Sequence, residues 1–146
     1  MIQVLAKVEH PSTVKYVGTL VIHPDPKVRE ETLQLITKFG EKGRPLIQKF
    51  LRDSSAEIRA KASLIFAKTA KDQAVKPLVE IILSEDFPKR GYEEKASFFR
   101  ALGETGSKEV IPVLKKIAKK RTWFGRSTWN EMRLCATNTL KMMGAA

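Results

Sequence analysis

Four times along this chain a hydrophobic residue and a basic residue open a stretch that closes on a small residue. Val28-Arg29 leads to Gly40, Ile58-Arg59 to Ala70 and Met132-Arg133 to Gly144, while Glu94-Lys95 leads to Gly106 with an acid in the apolar place. The small residue always stands eleven positions after the basic one, and the basic residues lie 30, 36 and 38 positions apart. Recurrence at about 20 to 50 residues marks stacked supersecondary units, none of which buries its apolar face alone. A chain built this way is first of all a surface for holding something, and it carries no obligatory chemistry.

The segments between these blocks repeat as well. Arg44-Pro45-Leu46-Ile47, Lys76-Pro77-Leu78-Val79 and Ile111-Pro112-Val113-Leu114 each open a second apolar stretch. Proline is tolerated in the first turn of a helix, where its missing N–H has no intrahelical partner to lose. Each unit therefore reads as helix, short turn, helix, with proline at the start of the first helix and the basic pair at the start of the second. Apolar residues recur at helical spacing in the second helices: Val28, Leu33, Leu35, Ile36, Phe39; Ile58, Ala62, Ile65, Phe66; Phe98, Phe99, Ala101, Leu102; Met132, Cys135, Ala136, Leu140, Met143. Such a stripe buries one face, and Leu35, Ile65 and Leu102 are expected in the core. No segment alternates at period two for long enough to make a sheet.

The spacing predicts a short helix at 2–9 and then pairs at 11–23 with 26–40, 44–52 with 55–70, 74–85 with 91–105, and 109–120 with 128–143. Asp25-Pro26 supplies an N-cap and a first-turn proline. Ser54-x-x-Glu57 and Thr128-x-x-Glu131 have the form of capping boxes, and Gly40, Gly106 and Gly144 stand where helices end. Two connections are longer than the rest, 84–91 and 121–127. Insertions in repeat arrays fall on one face, often the binding face. The 146 residues are expected to form a single unit with a sizeable core. Its half-unit start, and an end at Gly144-Ala145-Ala146 without a polar cap, fit a piece of a longer protein or an array that stacks on itself.

Charge narrows the partners. The net charge is +11, and from Ser107 onward nine basic residues face two acids. A patch this dense favours acidic protein surfaces, nucleic acid or an anionic membrane, although a solvated helix face also produces one. No apolar run approaches the roughly 18 residues of a membrane span, and no signal peptide is visible. The single cysteine, Cys135, precludes an internal disulfide framework and fits a reducing, cytoplasmic setting.

Chemistry is thin. His10 and His23 each precede proline in an expected turn, with no Cys, Asp or Glu at metal-ligand spacing. Cys135 falls on an apolar stripe with no base in view. Neither a catalytic residue, a metal site nor a cofactor is expected. One segment stands apart: Lys119-Lys120-Arg121-Thr122-Trp123-Phe124-Gly125-Arg126-Ser127-Thr128-Trp129 holds both tryptophans and four cations. Tryptophan and arginine dominate protein-binding hot spots, and aromatics among cations also stack on nucleic-acid bases. The same aromatics could instead fold back over the open end of the last unit.

These pieces resemble HEAT repeats, in particular the bacterial type grouped with the phycobilisome-lyase HEAT-like repeats. Asp25-Pro26-Lys27-Val28-Arg29-Glu30, Glu57-Ile58-Arg59-Ala60-Lys61-Ala62, Ala101-Leu102-Gly103-Glu104-Thr105-Gly106 and Val110-Ile111-Pro112-Val113-Leu114 carry the likeness. It implies an all-α, right-handed α-solenoid of about four helix pairs with the second helices lining a concave side. It also implies that Arg29, Arg59, Lys95 and Arg133 are structural cations joining turn acids such as Asp25 and Asp53. Glu94 departs from the pattern. The expected function is a non-catalytic protein-binding scaffold. Its contact residues would be Lys119, Lys120, Arg121, Trp123, Phe124, Arg126 and Trp129, along a basic concave groove. The partner would be an acidic protein surface or the remainder of a longer chain. The alternative is a HEAT-like nucleic-acid binder; glycosylase and bilin-lyase roles lack the residues they need.

Overall fold

The computed structural model describes residues 11–146, so the expected helix at 2–9 and His10 lie outside the described residues. The described residues form eight α-helices and no strand. They are α1 (Pro11–Leu20), α2 (Pro26–Ile36), α3 (Arg44–Phe50), α4 (Ala56–Ala70), α5 (Asp72–Ile82), α6 (Tyr92–Glu104), α7 (Val110–Lys119) and α8 (Arg126–Met142). They pair as α1/α2, α3/α4, α5/α6 and α7/α8, an α-solenoid of four units. The second helices form the inner layer: α4 packs on α2 and α6, and α6 packs on α8, while the first helices lean mainly on their own partners. All four within-unit turns consequently fall along one edge of the stack.

Local chemistry explains the boundaries. Asp25 caps α2 by accepting the Lys27 N–H at 2.9 Å, with Pro26 in the first turn. The end of α2 comes earlier than expected. At Ile36 it passes into a 3₁₀ segment, Thr37–Gly43, which bends at Gly40 (φ 57°, ψ −131°), a conformation open to glycine. In the second unit the same break falls one residue past the small-residue position, because α4 runs through Ala70 and Lys71 takes φ 50°, ψ −123°. A lysine there is strained.

Both capping boxes are corrected. Ser55, not Ser54, caps α4 by accepting the Ile58 N–H at 3.4 Å. Gly125 precedes α8 in the left-handed region, and Thr128 sits inside the helix, donating to the Gly125 carbonyl at 2.9 Å. The proline rule also fails once. Pro45 and Pro112 lie in first turns, but α5 starts at Asp72 and carries Pro77 in its interior. The cost is one backbone hydrogen bond, to the Gln73 carbonyl. Burial of Ala74 and Val75 offsets it by drawing the preceding turn into the helix.

The core runs continuously through the stack. Leu35 and Leu102 are buried as expected, but Ile65 is only half-buried and Phe66 takes the inner position. The face of α4 toward its neighbours is built from Ala62, Ser63, Ala67 and Ala70, small enough to let helices close on both sides. The outer side of α8 exposes Asn130, Leu134, Asn138, Lys141 and Met142.

The two long turns behave differently. The 84–91 turn folds inward. Phe87 is fully buried, edge-on to Phe98 at 5.4 Å and near Phe99 at 6.3 Å, with the Arg90 guanidinium 5.3 Å above its ring. Burial of a phenylalanine stabilises by about 1.5–3 kcal/mol, so this turn is an anchor. The 121–127 turn stays outside, with Trp123 at 88% and Phe124 at 91% exposure.

Candidate functional site

Along the turn edge, Arg29, Arg59 and Lys95 stand in the first turns of the second helices, and Arg133 stands two turns into α8. Each donates to backbone carbonyls of its own unit's turn. Arg29 Nη1 reaches the His23 and Pro24 carbonyls at 2.8 and 3.2 Å, and Arg59 Nη1 those of Asp53 and Ser54 at 2.7 and 3.2 Å. Lys95 Nζ reaches Pro88 at 2.9 Å, and Arg133 Nη1 reaches Lys120 at 2.6 Å.

Three of them also reach forward to a carboxylate of the next unit. Arg29 holds Asp53 through Nε at 2.9 Å and Nη2 at 3.1 Å. Arg59 holds Glu94 through Nε at 2.6 Å and Nη2 at 2.8 Å. Lys95, only 1% exposed, pairs with Glu131. Donating to the Glu94 carboxylate raises the Arg59 guanidinium above its ordinary value. Arg90 joins this cluster, meeting Glu94 at 2.9 Å and Asp86 at 2.9 Å, and holds the Asp86 carboxyl below its usual range.

These three cation–carboxylate pairs are the rungs of a ladder along the turn edge, and the sequence pattern alone does not mark Glu94 and Glu131 as the acids of the second and third. Glu94 occupies the place of an apolar residue because Arg59 needs an acceptor there, and the interruption of the pair was its signal. Glu131, at the acid position of the expected capping box, is the ion-pair partner of Lys95 instead. Asp25 caps α2 as expected, and of the two expected turn acids it is Asp53 that pairs with Arg29.

At the far end of the edge the remaining sequence-predicted residues come together. Lys119, Lys120, Arg121, Arg126 and Arg133, with Thr122 and Asn130, line an open cleft of about 710 Å³ between the end of α7 and the first turns of α8. No carboxylate lines it. These cations gather in a cleft at the turn edge of the fourth unit. The two tryptophans separate. Trp129 is half-buried against the core with Lys120 Nζ 4.0 Å above its ring, while Trp123 stands in solvent beside Phe124. A second groove of about 430 Å³, lined by Leu83, Pro88, Lys89, Lys120, Phe124 and Trp129, runs between the two long turns. Lys120 is the wall the two hollows share.

Elsewhere the chemistry stays sparse. Cys135 is buried, and burial pushes its thiol up to about 11, away from the thiolate a nucleophile needs. Among the described residues no three His, Cys, Asp or Glu side chains are grouped to hold a metal ion. No helix among them is long and apolar enough to cross a membrane.

A family profile described as HEAT repeats matches residues 19–92, half of the chain. Comparison with curated protein sequences gives no match. Among solved structures the chain is similar to human deoxyhypusine hydroxylase in complex with glycerol, with a TM-score of 0.63 at 16% identity. That similarity covers 99% of this chain and 48% of the other, so the chain spans about half the length of that enzyme. At this identity the likeness is one of fold.

Proposed function

The chain belongs to the HEAT-repeat family, and from that premise we propose that it is a non-catalytic module that holds an acidic protein partner at the turn edge of its fourth unit. Repeats of this family generally mediate protein interaction or scaffolding. The observation that carries the finer reading is the pairing of five cations, with no carboxylate among them, with an exposed Trp123-Phe124 pair. Exposed aromatics supply contact area and an anchor. The surrounding cations supply long-range attraction and orientation. The hydroxylase neighbour does not alter this reading, because its likeness reaches the fold and not a set of reacting side chains. The proposed setting is cytoplasmic, with the chain acting as one module.

Nucleic acid is the second reading, favoured by the same aromatics standing among Lys119, Lys120, Arg121 and Arg126. Salt dependence separates the two. Phosphate contacts release counterions, with a log–log slope of roughly −0.9 per contact on duplex DNA. A protein partner should give a shallow slope, with Trp123→Ala and Phe124→Ala dominating the loss of affinity. The test is binding measured against salt concentration for the wild type, the aromatic variants and the triple variant Lys119→Ala/Lys120→Ala/Arg121→Ala. Tight, salt-sensitive binding to a random duplex at near-physiological salt would overturn the protein reading. Under the nucleic-acid reading, Trp123→Ala should cost about 1–3 kcal/mol of stacking.

A further inference from the structure

The ladder of cations leaves one place open. Arg29, Arg59 and Lys95 each take a carboxylate from the following unit. Arg133 occupies the same position in the fourth unit and keeps the same kind of carbonyl contact, to Lys120. Its remaining partner is the neutral Asn130 side chain of its own helix. In front of it lies the carboxylate-free cleft. Thr122 Oγ1 is buried in the wall of that cleft without a hydrogen-bond partner, and Arg126 makes no ion pair among the described residues. A guanidinium with an unused carboxylate position, an unused hydroxyl and four more cations face one hollow.

We propose that this hollow is a carboxylate site that completes a fourth rung, filled by the acidic face of a helix presented by a partner protein. One carboxylate of that helix meets Arg133, and its neighbours meet Lys119, Lys120, Arg121 and Arg126. The inference rests on the reading of the turn edge as a protein-binding site and specifies the chemistry of the partner.

A second copy of this chain is a poor occupant. Two chains of net charge +11 repel each other. The register is also wrong. In the second unit Asp53 accepts the N–H of Ser55 at 2.8 Å and presents a carboxylate to Arg29. In the first unit the same place belongs to His23, whose Nδ1 accepts the N–H of Asp25 at 3.1 Å. A copy stacked head to tail would bring a histidine where the rung needs an acid. The three rungs already made use carboxylates, which is why a carboxylate and not a phosphate is assigned.

The test uses three probes against the full chain at near-physiological salt: an alanine-based helical peptide with glutamates along one face, its glutamine counterpart, and a random DNA duplex. Affinity is followed by calorimetry, and the Arg133 Nε–H resonance by NMR. The glutamate peptide should bind and shift that resonance, while the glutamine peptide should do neither. Arg133→Gln and Arg126→Gln should each weaken binding by about tenfold, the scale of one charge-assisted hydrogen bond. Arg133→Lys should weaken it too, because an ammonium lacks the two-pronged fork. Arg126→Gln guards against misreading, since Arg126 supports no other residue and its loss leaves the fold intact. No binding of the glutamate peptide, or equal binding by wild type and both glutamine variants, would overturn the rung. If equal binding were accompanied by loss in Trp123→Ala, the rung would fall and the protein-binding reading would stand. A duplex that displaces the peptide and binds more tightly would overturn both.

Discussion

Replacing Glu94 by leucine would restore the hydrophobic-basic pair that the other units carry, and sequence pattern alone would expect a more stable stack. The structure predicts the opposite. Glu94 is 3% exposed and accepts hydrogen bonds from Arg59 at 2.6 and 2.8 Å and from Arg90 at 2.9 Å. Hydrogen bonds to charged groups contribute about 1.5–3 kcal/mol each, whereas burying a leucine returns about 2 kcal/mol. Arg59 keeps its two carbonyl partners and Arg90 keeps Asp86, which limits the damage. The expected net loss for Glu94→Leu is about 2 kcal/mol. Arg59→Leu strands the buried carboxylate instead of a cation. With Arg90 still in place the expected loss is about 3 kcal/mol, the lower end for breaking a buried pair. At this chain length each kcal/mol moves Tm by about 2–4 °C, so the two variants should melt about 4–8 °C and about 6–12 °C below wild type. The double variant Arg59→Leu/Glu94→Leu removes both charges together and should fall short of the sum by about 2 kcal/mol. Thermal melts followed by circular dichroism suffice. A Tm that rises in Glu94→Leu, or strict additivity in the double variant, would refute the rung as a stabilising contact.

Three further outcomes are expected. Lys71→Gly should raise Tm by about 2–4 °C, because relief of a strained conformation worth about 1–3 kcal/mol outweighs the entropy of glycine; a fall in Tm would show the lysine backbone to be relaxed. Leu102→Ala should cost about 2–5 kcal/mol and Ile65→Ala distinctly less, since only the former is fully buried; equal losses in urea unfolding would contradict the assigned burial. Cys135 should react with a thiol reagent at pH 8 only as fast as the protein opens, because burial holds its thiol near 11. A raised thiol pKa contributes stability fully present below the unfolded value of about 8.5. That contribution is lost as the pH rises through about 11, so labelling should accelerate in strongly alkaline buffer, and rapid labelling of the native protein at pH 8 would contradict the burial.

Periodicity carried the architecture because helix spacing and unit length are both written in the order of residues. All eight described helices begin within two residues of the expected position, and α1 ends early, at Leu20. What escaped were features set by contacts between distant residues. Glu94 looked like a fault in the pattern because its reason lies 35 positions away at Arg59. Phe87 looked like part of a binding loop because nothing local says that its ring enters the core. The cationic and aromatic composition of 119–129 was plain in the sequence. That it divides into a packed Trp129 and a presented Trp123 depends on where α8 begins, and the left-handed Gly125 sets that point.

The acids of the three rungs occupy comparable positions in space but not in the chain. Asp53 sits in the turn before its helix, Glu94 directly before Lys95, and Glu131 two residues before Arg133. Where the turn is short, the turn holds the charge. Where it is long, the charge has moved onto the helix itself. This is a division of labour: once the helix carries the acid, the turn is free to do something else, as the 84–91 turn does with its Phe87 anchor. The 121–127 turn has that freedom, and for that reason two large aromatic rings can stand in water there without loosening the array beneath them.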